Sequence, residues 1–487
     1  MAKAWVTKAI ELLDDSLIPI PQELNELDWK ETLSPSNAKL TKHLSAFANL
    51  PGGGFLVFGV QDETGTLIGV STEQVTAITQ KLSSLGRDSL TPVIKIDHSV
   101  ELYNEVPLLL VYIAENMVKP VHLSSGTIED TYIRSGGTTR KASRQEVGGL
   151  MLNSRTPQFE ELHCSPLKTG SDVLDSIDFR GIFSLLNKPV PQNKKEILEG
   201  LTSEKLIEEI DGAGFYITNL GALAAANNLH DFEGLSRKSI RLIRYEGLNK
   251  EVTRGEYPGS KGYAIGFSGL VAFISALLPG SEIVKNALRT ETSVYPEIAL
   301  RELIANALIH QDFSIRGSGP MIEIFDDRIE ISNPGRLLPT KKLDRLIGAT
   351  PESRNEILAS TFRRYNICEE RGSGFQKAVS SIELYGLPPL KFIEMENSFR
   401  VVLYSPRKFG EMTPDERIEA AYQHSIIRYF SSAGLTNASL RERFKMNEKQ
   451  RPQVSLVIKE ALKLGKIKPK DPNNESTKFA EYIPYWG

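Results

Sequence analysis

The chain has 487 residues, of which 24% are charged and 40% hydrophobic. That is an ordinary globular composition, too long for one core, so about three or four domains are expected. The formal net charge of −3 gives no global attraction to nucleic acid, and any such contact must be local. Two cysteines, Cys164 and Cys368, exclude a disulfide framework and a cysteine-rich zinc site, and fit free thiols in a reducing compartment. The N-terminus lacks the long apolar stretch of a signal peptide, and the most apolar window, "GLVAFISALLP" from Gly269, is too short to span a bilayer. A cytoplasmic protein without a membrane partner is expected.

Residues 1–150 mix helices with short β-rich runs, the pattern of an α/β or α+β domain. Leu40, Leu44, Phe47 and Ala48 recur at helical spacing, Pro51 stops that helix, and Gly52 to Gly54 lead into the buried strand "FLVFGV". A phosphate-binding loop needs the reverse order and a following Lys-Ser/Thr, so these glycines read as a corner. Asp62 closes the strand, and "PQELNELDWKET" upstream supplies Glu23 and Asp28. If "LDWKE" is a strand, Asp28 and Lys30 share one face while Trp29 packs on the other. Carboxylates that converge need a divalent cation. Oxygen ligands suit Mg²⁺ or Mn²⁺, whose commonest task in such a site is phosphodiester hydrolysis. Solvated surface acids are the other reading, and spacing leaves both open. In "YIRSGGTTRKASRQE", Arg134, Arg140, Lys141 and Arg144 surround two glycines and two threonines, a combination suited to phosphate contact.

Residues 155–290 form a connecting α/β region to which no chemistry is assigned. The region 291–410 opens with "EIALRELIANALIHQ", which sets Glu302, Asn306 and His310 on one helical stripe opposite Leu300, Ile304 and Leu308. A carboxylate, an amide and an imidazole in line are costly to bury and should face a cavity or solvent. A metal-bound phosphate would use the amide as an oxygen ligand and the carboxylate to orient water. Residues 412–487 read as helix, turn, helix and two short strands, a winged helix. Residues 441–470 hold ten Lys/Arg against three Glu, with Arg451 and Lys459 on the second helix. This is the local basic patch that the net charge conceals, and it suits duplex DNA.

Two ordered motif sets carry family resemblances. "DWK", "LSAFANLPGGGFLVFGVQD", "GVS", "KPVHL" and "DTYIRSGGTTRKAS" together resemble the Schlafen-type AlbA-like domain over about residues 20–147. In nucleolytic members three acids form the active site, and the resemblance places them on Glu23, Asp28 and Asp62. Asp28 stands where that family commonly has Glu. "ALRELIANALIHQ", "IEIFDDRIEISNPGRLLP", "RNEILA" and "EERGSGFQKAVSSIELYGLPPLKF" resemble the divergent GHKL-type ATPase domain found behind Schlafen-type domains in bacterial regulators, over about residues 295–405. That resemblance implies ATP as ligand, Glu302 as general base, Asn306 as Mg²⁺ ligand and His310 as a nucleotide contact. It puts Asn333 and Gly335 near the base, and Arg371, Gly372 and Gly374 near the phosphates. The acid that usually holds adenine has no clear match, and Gln311 follows His310 where relatives often have Arg.

The expectation is a multidomain α/β (α+β) chain: an AlbA-like domain at 1–150, the connecting region at 155–290, a GHKL-like sandwich at 291–410 and a winged helix at 412–487. It would bind ATP and act on DNA or RNA as a homo-oligomer. It is a metal-dependent nuclease gated by ATP, in phage defence or stress, or an ATP-responsive transcription regulator that binds DNA without cutting it, or an assembly protein whose GHKL domain is a degenerate scaffold.

Overall fold

The computed structural model describes residues 3–18, 21–22, 24–62, 64–154, 157–210, 214–278, 280–285, 288–368, 374–472 and 480–487, with backbone only at 4, 280–285 and 288–293. The chain is a multidomain α/β protein that divides into two compact units, Met1–Gln158 with Glu209–Gly214, and Phe159–Glu208 with Phe215–Gly487.

The first unit runs α1 (Ala4–Leu17), β1 (Leu27–Lys30), α2 (Asn37–Asn49), β2 (Gly54–Phe58), α3 (Thr72–Asp88), β3 (Ile96–Tyr103), β4 (Val106–Ile113), β5 (Tyr132–Ser135), β6 (Thr138–Lys141) and α4 (Arg144–Leu152). Its sheet has the order β1-β2-β4-β3, with β1 and β2 parallel and the other pairs antiparallel. "GFLVF" is buried at every position because both faces are covered. Phe55 and Val57 join Leu27, Trp29 and the α1 residues Val6, Ala9 and Leu13 on one side. Leu56 and Phe58 meet Leu40, Leu44 and Phe47 of α2 on the other. The glycines before β2 form a turn: Gly52 and Gly53 have φ of +78° and +73°. A Cβ on Gly53 would lie 2.3 Å from the Ile113 carbonyl oxygen, and one on Gly54 would lie 2.0 Å from the Phe47 ring. Only glycine admits both the backbone angle and the approach.

The second unit begins with short helices between 170 and 225. Its main sheet combines β7 (Arg241–Glu246), β8 (Val252–Pro258), β9 (Met321–Ile324), β10 (Arg328–Pro334), β11 (Lys391–Glu394) and β12 (Ser398–Tyr404) in the order β8-β7-β9-β10-β12-β11. Only β7 and β9 run parallel, and the crossover between them contains α5 (Tyr263–Leu277) and α6 (Glu297–Ile309). Strands from 241–258 and 321–404 thus share one sheet across the boundary expected near 290. On α6, Leu300, Leu303, Ile304, Ala307 and Leu308 are buried. Then come α7 (Glu356–Arg364), α8 (Gly374–Tyr385), α9 (Pro414–Phe430), α10 (Asn437–Arg443), α11 (Arg451–Lys463) and the antiparallel pair β13 (Ile467–Pro469) and β14 (Tyr482–Pro484). Pro414 and a Thr413–Glu416 capping box fix the start of α9. Val454, Val457, Ile458 and Ala461 form the buried face of α11. Among the described residues no helix is long and apolar enough to cross a membrane.

Candidate functional site

Separate stretches of the second unit converge on one pocket. Glu302 and Asn306 from α6, His310 just past its end, Asn333 at the end of β10 and Gly374 at the start of α8 all line it. A Cβ on Gly374 would lie 2.5 Å from Glu302 Oε2 and 3.7 Å from Asn306 Nδ2. The first turn of α8 therefore stands against that carboxylate and amide, in a cradle that one added carbon would fill. Helix N-termini carry unsatisfied N–H groups suited to phosphate, and the Glu302–Asn306 pair fits a metal-bound phosphate beside them. His310 is neutral at pH 7. Burial, then Arg354 and Lys341, holds its pKa down at about 4 against the opposing pull of Glu352. Gly335 is not a lining residue. It has φ of +99°, and a Cβ there would lie 2.7 Å from Asp312 Cβ, so it serves a turn. Arg371 and Gly372 lie outside the described residues.

The structure adds Arg336, Lys341, Glu352 and Arg354 to the lining. Lys341 pairs with Glu352 at 3.3 Å, and Arg336 with Glu394 at 3.3 Å. Arg354 donates to Asp312 at 3.2 Å and to the Arg336 carbonyl at 2.6 Å. In the sequence "RNEILA" marks this segment, but nothing in it assigns Arg354 to a pocket. Gln311 points elsewhere: it is wholly buried and donates to the Tyr263 hydroxyl at 3.1 Å and the Leu308 carbonyl at 2.9 Å. Gln311 therefore belongs to the core and not to the pocket.

In the first unit, a cleft of about 400 Å³ is lined by Lys30, Glu31, Lys39, His43 and Asp62 among others. Asp62 is exposed and accepts from the Glu31 N–H at 2.8 Å. Asp28 is 1% exposed and is not among the lining residues. Lys30 Nζ donates to it at 2.9 Å, Arg134 Nη1 lies 3.6 Å away and His43 Nδ1 3.5 Å away. Burial foremost, opposed by Asp28, pushes the His43 pKa down to about 4, so the ring is neutral. With an ammonium and a guanidinium already against it, the Asp28 carboxylate does not fit a divalent cation. Glu23 lies outside the described residues, and among those described no three His, Cys, Asp or Glu side chains are grouped to hold a metal.

Arg134 corrects its expectation as a phosphate contact. Its side chain is 0% exposed, stacks on Phe47 and donates to the Leu24 and Asn25 carbonyls at 2.9 and 3.2 Å. Arg140, Lys141 and Arg144 are exposed, and they pair with Glu146, Asp130 and Glu129 at 2.6, 2.9 and 3.0 Å. Such surface pairs exchange readily for a phosphate. In the last segment Arg451 and Lys459 are exposed on α11. Arg443 from the same basic run is buried and donates to the Leu387 carbonyl at 2.7 Å, so it braces the core.

Residues 23–143 match the family described as Schlafen, AlbA_2, and residues 317–403 match the family described as Putative ATP-dependent DNA helicase recG C-terminal. The chain carries a Schlafen AlbA_2 domain and a recG-type, GHKL-like ATPase domain. The cleft of Lys30 and Asp62 lies in the AlbA_2 domain. Asn333, Arg336, Lys341 and Arg354 lie in the matched ATPase segment, which α6 precedes. No curated protein matches the chain. Among solved structures, the DIP2311 protein from Corynebacterium diphtheriae is 16% identical, over 93% of this chain and 92% of its own, with a TM-score of 0.44. The N-terminal domain of a putative ATP-dependent DNA helicase RecG-related protein from Nitrosomonas europaea is 21% identical, over 29% of this chain and 95% of its own, with a TM-score of 0.22.

Proposed function

We propose that the protein binds ATP with Mg²⁺ in the pocket between α6, β10 and α8, and that it binds nucleic acid in a nucleotide-dependent way without cutting it. The observation that carries the reading is the convergence of Glu302, Asn306, His310, Asn333 and Gly374 on one pocket. Asn306 would hold the metal, Glu302 would orient water, and the first turn of α8 would meet the phosphates. The cavity, about 150 Å³, is smaller than the roughly 300 Å³ at the low end of ligand pockets. Nucleotide entry would therefore move the loop 338–352 outward. Nucleic acid would meet the exposed cations of α11, with α9 to β14 acting as a winged helix, and those at 140–144. A homodimer belongs to this reading, since ATPase domains of this type often pair. Calorimetry with Mg-ATP tests the pocket: saturable binding that Asn306→Ala abolishes is expected, and absence of binding by the parent protein would sink the proposal.

Cleavage, in phage defence or stress, is the second reading. It is favoured by Asp62 in a cleft beside Lys30 and Lys39, and disfavoured by the ion-paired burial of Asp28. Incubation of labelled DNA and RNA with Mg²⁺ or Mn²⁺ separates the two. Cutting that Asp62→Ala removes would replace the first reading by the second.

A further inference from the structure

The loop from Leu338 to Glu352 has two faces. One contributes Lys341, Leu346, Ala349 and Thr350 to the nucleotide pocket. The other walls a neighbouring cavity of about 290 Å³, whose lining includes Lys341, Lys342, Arg345, Gly348 and Trp486. Three of its side chains are cations and none is an acid. Lys342 is exposed and has no ion-pair partner among the described residues. The Arg345 guanidinium lies 5.1 Å from the Tyr485 ring centroid and 6.0 Å from that of Trp486. The loop is also clasped by the C-terminal segment. Tyr422 donates to the Asp344 carbonyl at 2.5 Å, Trp486 Nε1 donates to the Tyr422 hydroxyl at 3.0 Å, and a Cβ on Gly348 would lie 2.1 Å from Phe430.

We propose that this cavity holds one phosphate–base unit of a single-stranded nucleic acid, with the phosphate on Lys342 and Arg345 and the base against Trp486. Cations that track a backbone, with an aromatic ring for a base to stack on, are how single strands are held, and the paired bases of a duplex cannot reach such a ring. At about 290 Å³ the cavity is near the roughly 300 Å³ low end of ligand pockets, so it takes a single unit of the strand and no more. Lys341, Ala349 and Thr350 line both cavities, so a strand bound here meets a wall shared with the nucleotide pocket. The two ligands then shift each other's affinity by one common factor. That coupling rests on the nucleotide reading above, and the strand site itself does not.

The test uses the full chain and a short labelled oligonucleotide, followed by anisotropy without nucleotide. Lys342→Glu and Trp486→Ala are each expected to weaken single-strand binding by about fivefold or more. Both should leave binding of a duplex of the same length unchanged. Lys342→Glu should bind Mg-ATP like the parent when no strand is present. Single-strand affinity unchanged in Lys342→Glu overturns the proposal, including the case in which only Trp486→Ala weakens it, because that would report a loosened clasp. Displacement of the strand by AMP at equal concentration from Asn306→Ala, whose nucleotide pocket is disabled, overturns it too, since the site would then be one for free mononucleotides. If the parent protein binds no ATP while Lys342→Glu still weakens strand binding, the nucleotide reading falls and this site stands.

Discussion

Arg134 and the two depressed histidines carry the consequences at the scale of single residues. Arg134 sits fully buried between the Asp28 carboxylate and the Leu24 and Asn25 carbonyls. Removing it would leave Asp28 with less compensation inside the protein, so Arg134→Ala should destabilise the first unit by about 3 kcal/mol or more in chemical denaturation. Arg134→Lys should not restore it, because one ammonium cannot reach three separated acceptors. His43 and His310 both have pKa values held down to about 4, below the roughly 6.5 of an unfolded chain. The unfolded state therefore binds more protons between those values. The stability from keeping each ring neutral is complete above about pH 6.5, falls as the pH drops toward 4, and changes no further below. Between pH 7 and 5 the loss should be about 2 kcal/mol per histidine, and His310→Gln should flatten its share in denaturation curves. Little of this is legible in a sequence. A cationic run such as "RSGGTTRK" reads as one surface, and only the fold separates Arg134 inside it from Arg140 and Lys141 outside.

At the scale of elements, helices and strands with strong periodicity are readable in the sequence, and so is the face of α6 that is buried. The polar stripe of α6 and the glycine corner before β2 follow from spacing and from the steric demands of a turn, and both are local properties. The loop 336–354 has no such period. Its Arg336, Lys341 and Arg354 become pocket residues only because the chain folds back over α6. The pairing of β7 with β9, whose partners Arg241 and Met321 lie far apart in sequence, is likewise set by long-range burial. The approach of α8 to α6 is the element-scale feature most open to test. Alanine at Gly374 keeps the helix and improves its propensity, yet its Cβ would press on Glu302 Oε2. The Glu302 carboxylate must give way, so Gly374→Ala should weaken Mg-ATP binding by about tenfold. Its melting temperature should stay near that of the parent. Equal calorimetric affinities for the two proteins would mean that the phosphates do not meet the start of α8.

For the whole molecule the net charge of −3 sets the terms on which any polyanion is met. Long-range attraction is absent, so affinity must come from a few local cations, and each phosphate contact releases its own counterions. Arg443 is buried, and Lys470 is paired with Glu481 at 2.6 Å, which leaves Arg451 and Lys459 of α11 among the exposed cations of that segment, with Lys445, Lys449, Lys463 and Lys468. The slope of log affinity against log salt for duplex DNA should then be shallow. Arg451→Gln and Lys459→Gln should each reduce it by about one. Both side chains are exposed and distant in sequence from the pocket motifs, so neither substitution should change Mg-ATP affinity measured without DNA. If the slopes of both variants matched the parent slope, the basic face of α11 would not be where duplex binds, and the exposed cations at 140–144 would have to account for it.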